Sequence, residues 1–118
     1  MKFYTFSKNN GMKASKFNSD FIISRITKTD KSTNIGCMYL EENDVVGYHQ
    51  AEVPQLLLVI NGEGYVRNEK EVYEKVQPGD AVFWEKSEWH ETKTNKGLTA
   101  IVIESIELDP SSFMSLRK

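Results

Sequence analysis

The stretch GYHQAEVPQLLLVINGEG, residues 47–64, runs from a lone histidine through a proline into an aliphatic block and stops at an Asn-Gly turn. Strand alternation from His49 sets Ala51, Val53, Gln55, Leu57 and Val59 on one face, provided that Pro54 introduces no bulge. The opposite face carries Gln50, Glu52, Leu56, Leu58 and Ile60. The second half of the stretch is therefore apolar on both sides, so one side is core and the other needs a cover.

Short alternating or apolar runs recur on either side of this stretch, at residues 21–27, 35–40, 45–50, 64–68, 71–76, 81–84, 90–93 and 98–106. Many are β-branched or aromatic and read as strands. The segments between them hold turn residues. Asn61-Gly62 favours a tight hairpin, and Gln77-Pro78-Gly79-Asp80 has the proline and glycine that a type II turn requires. Only residues 109–118 break the pattern, with Asp109 placed to cap a short helix that starts at Pro110 and runs over residues 111–116. Many short antiparallel strands imply an all-β sandwich or barrel, because closure removes exposed edges. Residues 1–19 are polar and irregular and read as an arm, residues 20–108 as the barrel domain, and residues 109–118 as a C-terminal segment.

A chain of 118 residues supports one domain with a single core. Hydrophobic residues at 39% and charged residues at 27% exclude a disordered or fibrous class. Seven of the 15 basic residues (Lys2, Lys8, Lys13, Lys16, Arg25, Lys28, Lys31) precede residue 35, but they are scattered, no aromatic platform interleaves with them, and the pI is near 5.7. That pattern is a solvated face, not a nucleic-acid surface. No segment has the form of a signal peptide or membrane span, which points to a cytoplasmic protein without a membrane partner. Cys37 is the single cysteine, so an internal disulfide and a cysteine-based zinc site are excluded, and a buried, reduced thiol is expected.

Two segments resemble the motifs of the cupins. The first cupin motif has a histidine, a second histidine two positions on, a glutamate four positions later and a glycine seven after that. Here those places hold His49, Ala51, Gln55 and Gly62. PGDAVFWEKSEWHE, residues 78–91, is similar to the second motif, with Gly79 and Asp80 opening the strand and His90 in the place of the last metal ligand. The proline and glycine usual in that motif are replaced by Glu85 and Ser87. The resemblance covers roughly residues 35–105 and implies a small single-domain cupin of the bacterial type, an antiparallel jelly-roll barrel with a small-molecule site inside.

The same resemblance implies a metal site built from His49, Gln55 and His90, with one divalent transition metal bound weakly, because two imidazoles and a neutral amide leave the cation's charge uncompensated. His49 and His90 are the only histidines, and both fall on motif positions. Trp84 and Trp89 are candidates to wall the ligand cavity, and Arg25 is a candidate to bind an anionic ligand or to pair with Glu104. Glu52 and Glu91 adjoin motif positions, but alternation turns them away. Three functions stay open: a metal-dependent enzyme of the dioxygenase, isomerase or lyase class; a metal-free enzyme using His49 or His90 as acid or base; and a module that binds a small-molecule ligand without turnover. The apolar row Leu56, Leu58 and Ile60 needs a cover, either from within the chain, by residues 1–19 with Phe3, Tyr4, Phe6 and Phe17 or by the terminal segment around Phe113 and Met114, or from a second copy; cupins commonly pair through their sheets, which leads to the expectation of a homodimer.

Overall fold

The computed structural model describes residues 1–118 and contains twelve strands. They are β1 (Lys2–Thr5), β2 (Met12–Ala14), β3 (Phe21–Ile23), β4 (Thr33–Leu40), β5 (Val45–Gln50), β6 (Gln55–Gly62), β7 (Gly64–Arg67), β8 (Glu74–Val76), β9 (Asp80–Trp84), β10 (Trp89–Lys93), β11 (Leu98–Ser105) and β12 (Ser115–Leu116). A six-stranded sheet has the order β12-β1-β9-β6-β11-β4, and a four-stranded sheet has the order β5-β10-β7-β8. β2 and β3 pair only with each other. All pairings are antiparallel.

β6, the aliphatic strand, lies between β9 and β11 inside the large sheet, and both of its faces are covered. Leu57 and Val59 meet Val66, Val76, Val82, Trp84, Leu98, Ala100 and Val102 between the two sheets. Leu56 and Leu58 meet Tyr4, Ala81, Phe83, Ile103 and Met114 on the outer side. Fully burying one such side chain contributes about 1.5–3 kcal/mol. The expected outward row is thus mostly sealed within the chain: Leu56 and Leu58 are buried, and only Ile60 is half exposed. A dimer built on Leu56 and Leu58 has no free surface to use.

The cover comes from both ends of the chain. Lys2–Thr5, within the segment read as irregular, forms strand β1 between β12 and β9. At the other end the expected helix over residues 111–116 is a single 3-10 turn, Pro110–Ser112, after which the chain re-enters the sheet as β12. The hydroxyls of Ser111 and Ser112 donate to the Asp109 carboxylate, so that carboxylate is not used as a cap for backbone N–H groups. Hydrogen bonding to β1 offers residues 115 and 116 a better outcome than a helix too short to be stable. Arg117 fastens this end by donating to Asp80 at 2.9 Å.

The Gln77–Asp80 turn forms as expected, with Gly79 at φ +95° and the Asp80 N–H donating to the Gln77 carbonyl at 3.0 Å. Asn61-Gly62 does not make a hairpin. β6 and β7 are not paired, and the chain passes here from the large sheet to the small one. Gly62 has φ +81°, and a Cβ there would stand 2.2 Å from the Gly97 carbonyl oxygen. Its role is close approach of two backbone segments as well as the turn itself. Cys37 also differs from expectation: it is exposed, because β4 is an edge strand and position 37 faces outward opposite Ile101. No helix is long and apolar enough to cross a membrane.

Gly62→Ala should destabilise the protein by about 2 kcal/mol, through positive φ and the contact with Gly97. Urea unfolding measures it, and a loss under about 0.5 kcal/mol, the range of ordinary surface substitutions, would mean that the Gly97 segment yields freely.

Candidate functional site

Cross-strand pairing brings the two motifs together. β5 and β10 are neighbours in the small sheet, and His49 lies directly opposite His90, with ring centroids 4.3 Å apart. The register shifts between His90 and Thr92. His90 points between the sheets and is 1% exposed, while His49 remains open to solvent. On the facing sheet, Gln55 opens β6 and is paired with Trp84 on one side and Glu104 on the other. The Trp84 ring lies 4.5 Å from that of His90.

A cavity of about 420 Å³ adjoins this cluster, lined by Asn34, His49, Gln50, Ala51, Glu52, Val53, Gln55 and Glu104. The Nδ1 of His49 lies 2.7 Å from the Gly47 carbonyl. A carbonyl only accepts, so Nδ1 carries the proton and the lone pair of the neutral ring is on Nε2. His90 has no protein partner at either ring nitrogen, and neither does Trp84 at Nε1. Buried polar atoms are rarely left in this condition. Burial pushes the His90 imidazole from its ordinary value of 6.5 down to about 4, with nearby His49 acting in the same direction and Glu88 opposing. At neutral pH His90 is an uncharged ring with one donor and one acceptor.

Of the residues singled out from sequence, His49, Gln55, His90 and Trp84 come together. Trp89 does not join them: it stacks on Tyr48, at 5.2 Å between centroids, on the outer face of the small sheet. Arg25 is also elsewhere, with its guanidinium 5.0 Å from the Phe113 ring. Glu91 is turned outward as alternation requires and is ion-paired with Arg67 at 2.9 Å, whereas Glu52 reaches the cavity mouth. Sequence reasoning missed Asn34 and gave Glu104 only a structural role. The signal was present, since Glu104 is the one charged position of β11 and alternates inward with Val102 and Ala100.

The donor set does not fit a firmly held metal. No group of three or more His, Cys, Asp or Glu side chains is placed to hold an ion. Ala51 stands at the second cupin histidine, and Gln55 brings no charge. A tetrahedral or octahedral divalent site ordinarily draws on at least three ligands of suitable type, and His49, His90 and a neutral amide fall short of that set.

Solved structures share this architecture. A cupin superfamily protein from Desulfitobacterium hafniense DCB-2 matches with a TM-score of 0.60 and 15% identity, over 68% of this chain and 72% of that one. An RmlC-like cupin from Shewanella frigidimarina NCIMB 400 matches at 0.60 and 18%, over 67% and 70%. KdgF from Halomonas sp. matches at 0.60 and 22%, over 70% and 78%. No protein-family model matches the sequence, and no curated protein matches it. The chain has the fold of small cupin domains, an antiparallel all-β jelly roll. Identities at this level carry the fold and not the reaction.

Two outcomes test the site. Between pH 6.5 and about 4 an unfolded His90 takes up a proton that the folded one refuses. Its contribution is therefore complete above 6.5 and is lost as the pH falls toward 4. The urea midpoint of His90→Gln should decline less steeply than that of the wild type across this window, and parallel curves would place the acid sensitivity elsewhere. Gln55→Glu adds the missing charge and should tighten Zn²⁺ binding about tenfold or more in isothermal titration; unchanged affinity would remove residue 55 from contact with the ion.

Proposed function

We propose that this cupin domain binds a small, uncharged, hydroxyl-rich molecule in the cavity between its sheets, held by His49, Gln55 and His90, with Trp84 behind them. The observation that carries the reading is a pair of buried rings with unpartnered nitrogens, His90 and Trp84, stacked behind the cavity-lining His49 at centroid distances of 4.3 Å (His49 to His90) and 4.5 Å (His90 to Trp84). Each is worth about 1–3 kcal/mol to whatever satisfies it. The lining supplies amides from Asn34, Gln50 and Gln55, the His49 ring and the acidic side chains of Glu52 and Glu104, but no lysine or arginine. Such walls suit hydroxyl groups, which both donate and accept, and repel phosphates and carboxylates.

A second reading adds turnover. With Nδ1 donating to Gly47, His49 presents a basic Nε2, the group that a proton abstraction would use without a metal.

Binding is tested by titrating ¹⁵N-labelled protein with neutral monosaccharides and with the matching sugar phosphates. The neutral compounds should shift the Trp84 indole N–H resonance and the phosphates should not. His49→Ala and His90→Ala should each weaken binding by about tenfold or more, the worth of one hydrogen bond to a buried partner. Their combined effect should fall short of the sum, since one ligand serves both. Preferential binding of the phosphates, or a Trp84 resonance indifferent to every compound, would overturn the reading.

A further inference from the structure

β4 and β5 are consecutive in the chain, yet each ends a different sheet and neither hydrogen-bonds to the other. The barrel is therefore open along the seam between them. Register shows which side chains face that seam, since residues directly opposite on antiparallel strands project to one face. On β4, Asn34, Gly36 and Met38 lie opposite Glu104, Val102 and Ala100, and the last two of these belong to the core between the sheets. On β5, Val46 lies opposite Thr92, itself opposite Val66 of the same core, and His49 lies opposite buried His90.

The chemistry of the seam changes along its length. At one end is the cavity that Asn34 and His49 line together with Gln55. At the other, a second cavity of about 520 Å³ is lined by Met38, Tyr39, Leu40, Val45 and Val46, beside Asn43 and Asp44 at the corner. Between Asn34 and Met38 the one inward position of β4 is Gly36. A glycine inside a strand weakens it and ordinarily marks a positive φ, a bulge, or the close approach of another backbone or a ligand. Gly36 has no positive φ, β4 pairs with β11 without a shift in register, and a Cβ at this position would meet no atom within 4 Å. Of those reasons, room for a ligand is the one that remains.

We propose that the seam is an apolar arm of the binding site, and that the ligand is a neutral polyol bearing an alkyl substituent, such as an alkyl glycoside. The substituent runs from the His49 end across Gly36 onto Met38, Leu40 and Val46. The polar head rests on the ligand reading above, whereas the arm rests on the seam alone. Asn34 and Met38 are four residues apart, about 13 Å along a strand, so the arm takes a chain of medium length. Neither cavity has a lysine or arginine in its lining, so a plain alkyl end is accepted and a chain ending in a carboxylate is disfavoured.

The test titrates the ¹⁵N-labelled full chain with methyl, butyl and hexyl β-glucosides, each below its micelle concentration. Affinity should rise about twofold or more per added methylene, as for a CH₂ that is buried on one side. The longer compounds should shift the Gly36 and Val46 amide resonances, and the methyl glucoside should leave them in place. Gly36→Val closes the space with a residue suited to a strand and should bring the ratio of hexyl to methyl affinity down to near one. Val46→Asn should lower the same ratio and serves as the second variant should the first disturb the sheet. 1-Hexanol, which has no sugar, should shift the same two amides. A methyl glucoside that binds beside a hexyl glucoside that is no tighter would overturn the arm and leave the ligand reading intact. Glucosides without effect beside a hexanol that still shifts Gly36 and Val46 would overturn the ligand reading and uphold the arm. A ratio unchanged in both variants, or Gly36 and Val46 amides indifferent to hexyl glucoside and hexanol alike, would also overturn the arm.

Discussion

Burial of β6 on both faces is the constraint on which the other elements depend. Residues 56–59 carry aliphatic side chains in succession, so no orientation of the strand leaves a polar face for water. One layer of the barrel satisfies Leu57 and Val59, and the chain must supply a further layer for Leu56 and Leu58. That second requirement explains why β1 and β12, from opposite ends of the sequence, are recruited to the same edge of the large sheet. It also explains why Arg117 is tied to Asp80 at the turn that opens β9.

The site inherits its chemistry from this layering. His90 reaches between the sheets because β10 alternates, and it is buried there against Trp84 and His49, so that burial outweighs the one nearby charge that favours an imidazolium, Glu88. His49, one strand away, stays at the rim and keeps a defined tautomer through the Gly47 carbonyl. The result is a cavity lined by acidic residues, amides and His49, with the buried rings of His90 and Trp84 packed behind that histidine.

Much of this was legible in the sequence, for reasons tied to particular residues. Period-two alternation located most of β4 to β11, and the pairing of His49 with His90 followed from two motifs in register. Short polar strands were not legible. Lys2–Thr5, Met12–Ala14 and Ser115–Leu116 become strands only because a partner edge is waiting, and no local propensity reveals that. Asn61-Gly62 has the composition of a hairpin, yet its glycine is required by a backbone passing at Gly97, a contact between segments remote in sequence. Trp84 and Trp89 look alike in sequence, and only their opposite parity within the second motif separates an inner side chain from an outer one.

The pairing of β1 with both β9 and β12 bears on how the chain acquires its structure. Lys2–Thr5 pair with residues 80–83, and Tyr4 and Thr5 also with Leu116 and Ser115, so the first strand has no place in the sheet until β9 is present and gains its second neighbour only at the end of the chain. Loop closure of that span is entropically costly, and topologies governed by such distant pairings fold slowly for their size. During synthesis the inner face of the barrel, built from β4 to β11, would assemble ahead of its outer cover. Leu56 and Leu58 would be the last large side chains to leave water, which makes the closing of this edge the step most open to competition from aggregation.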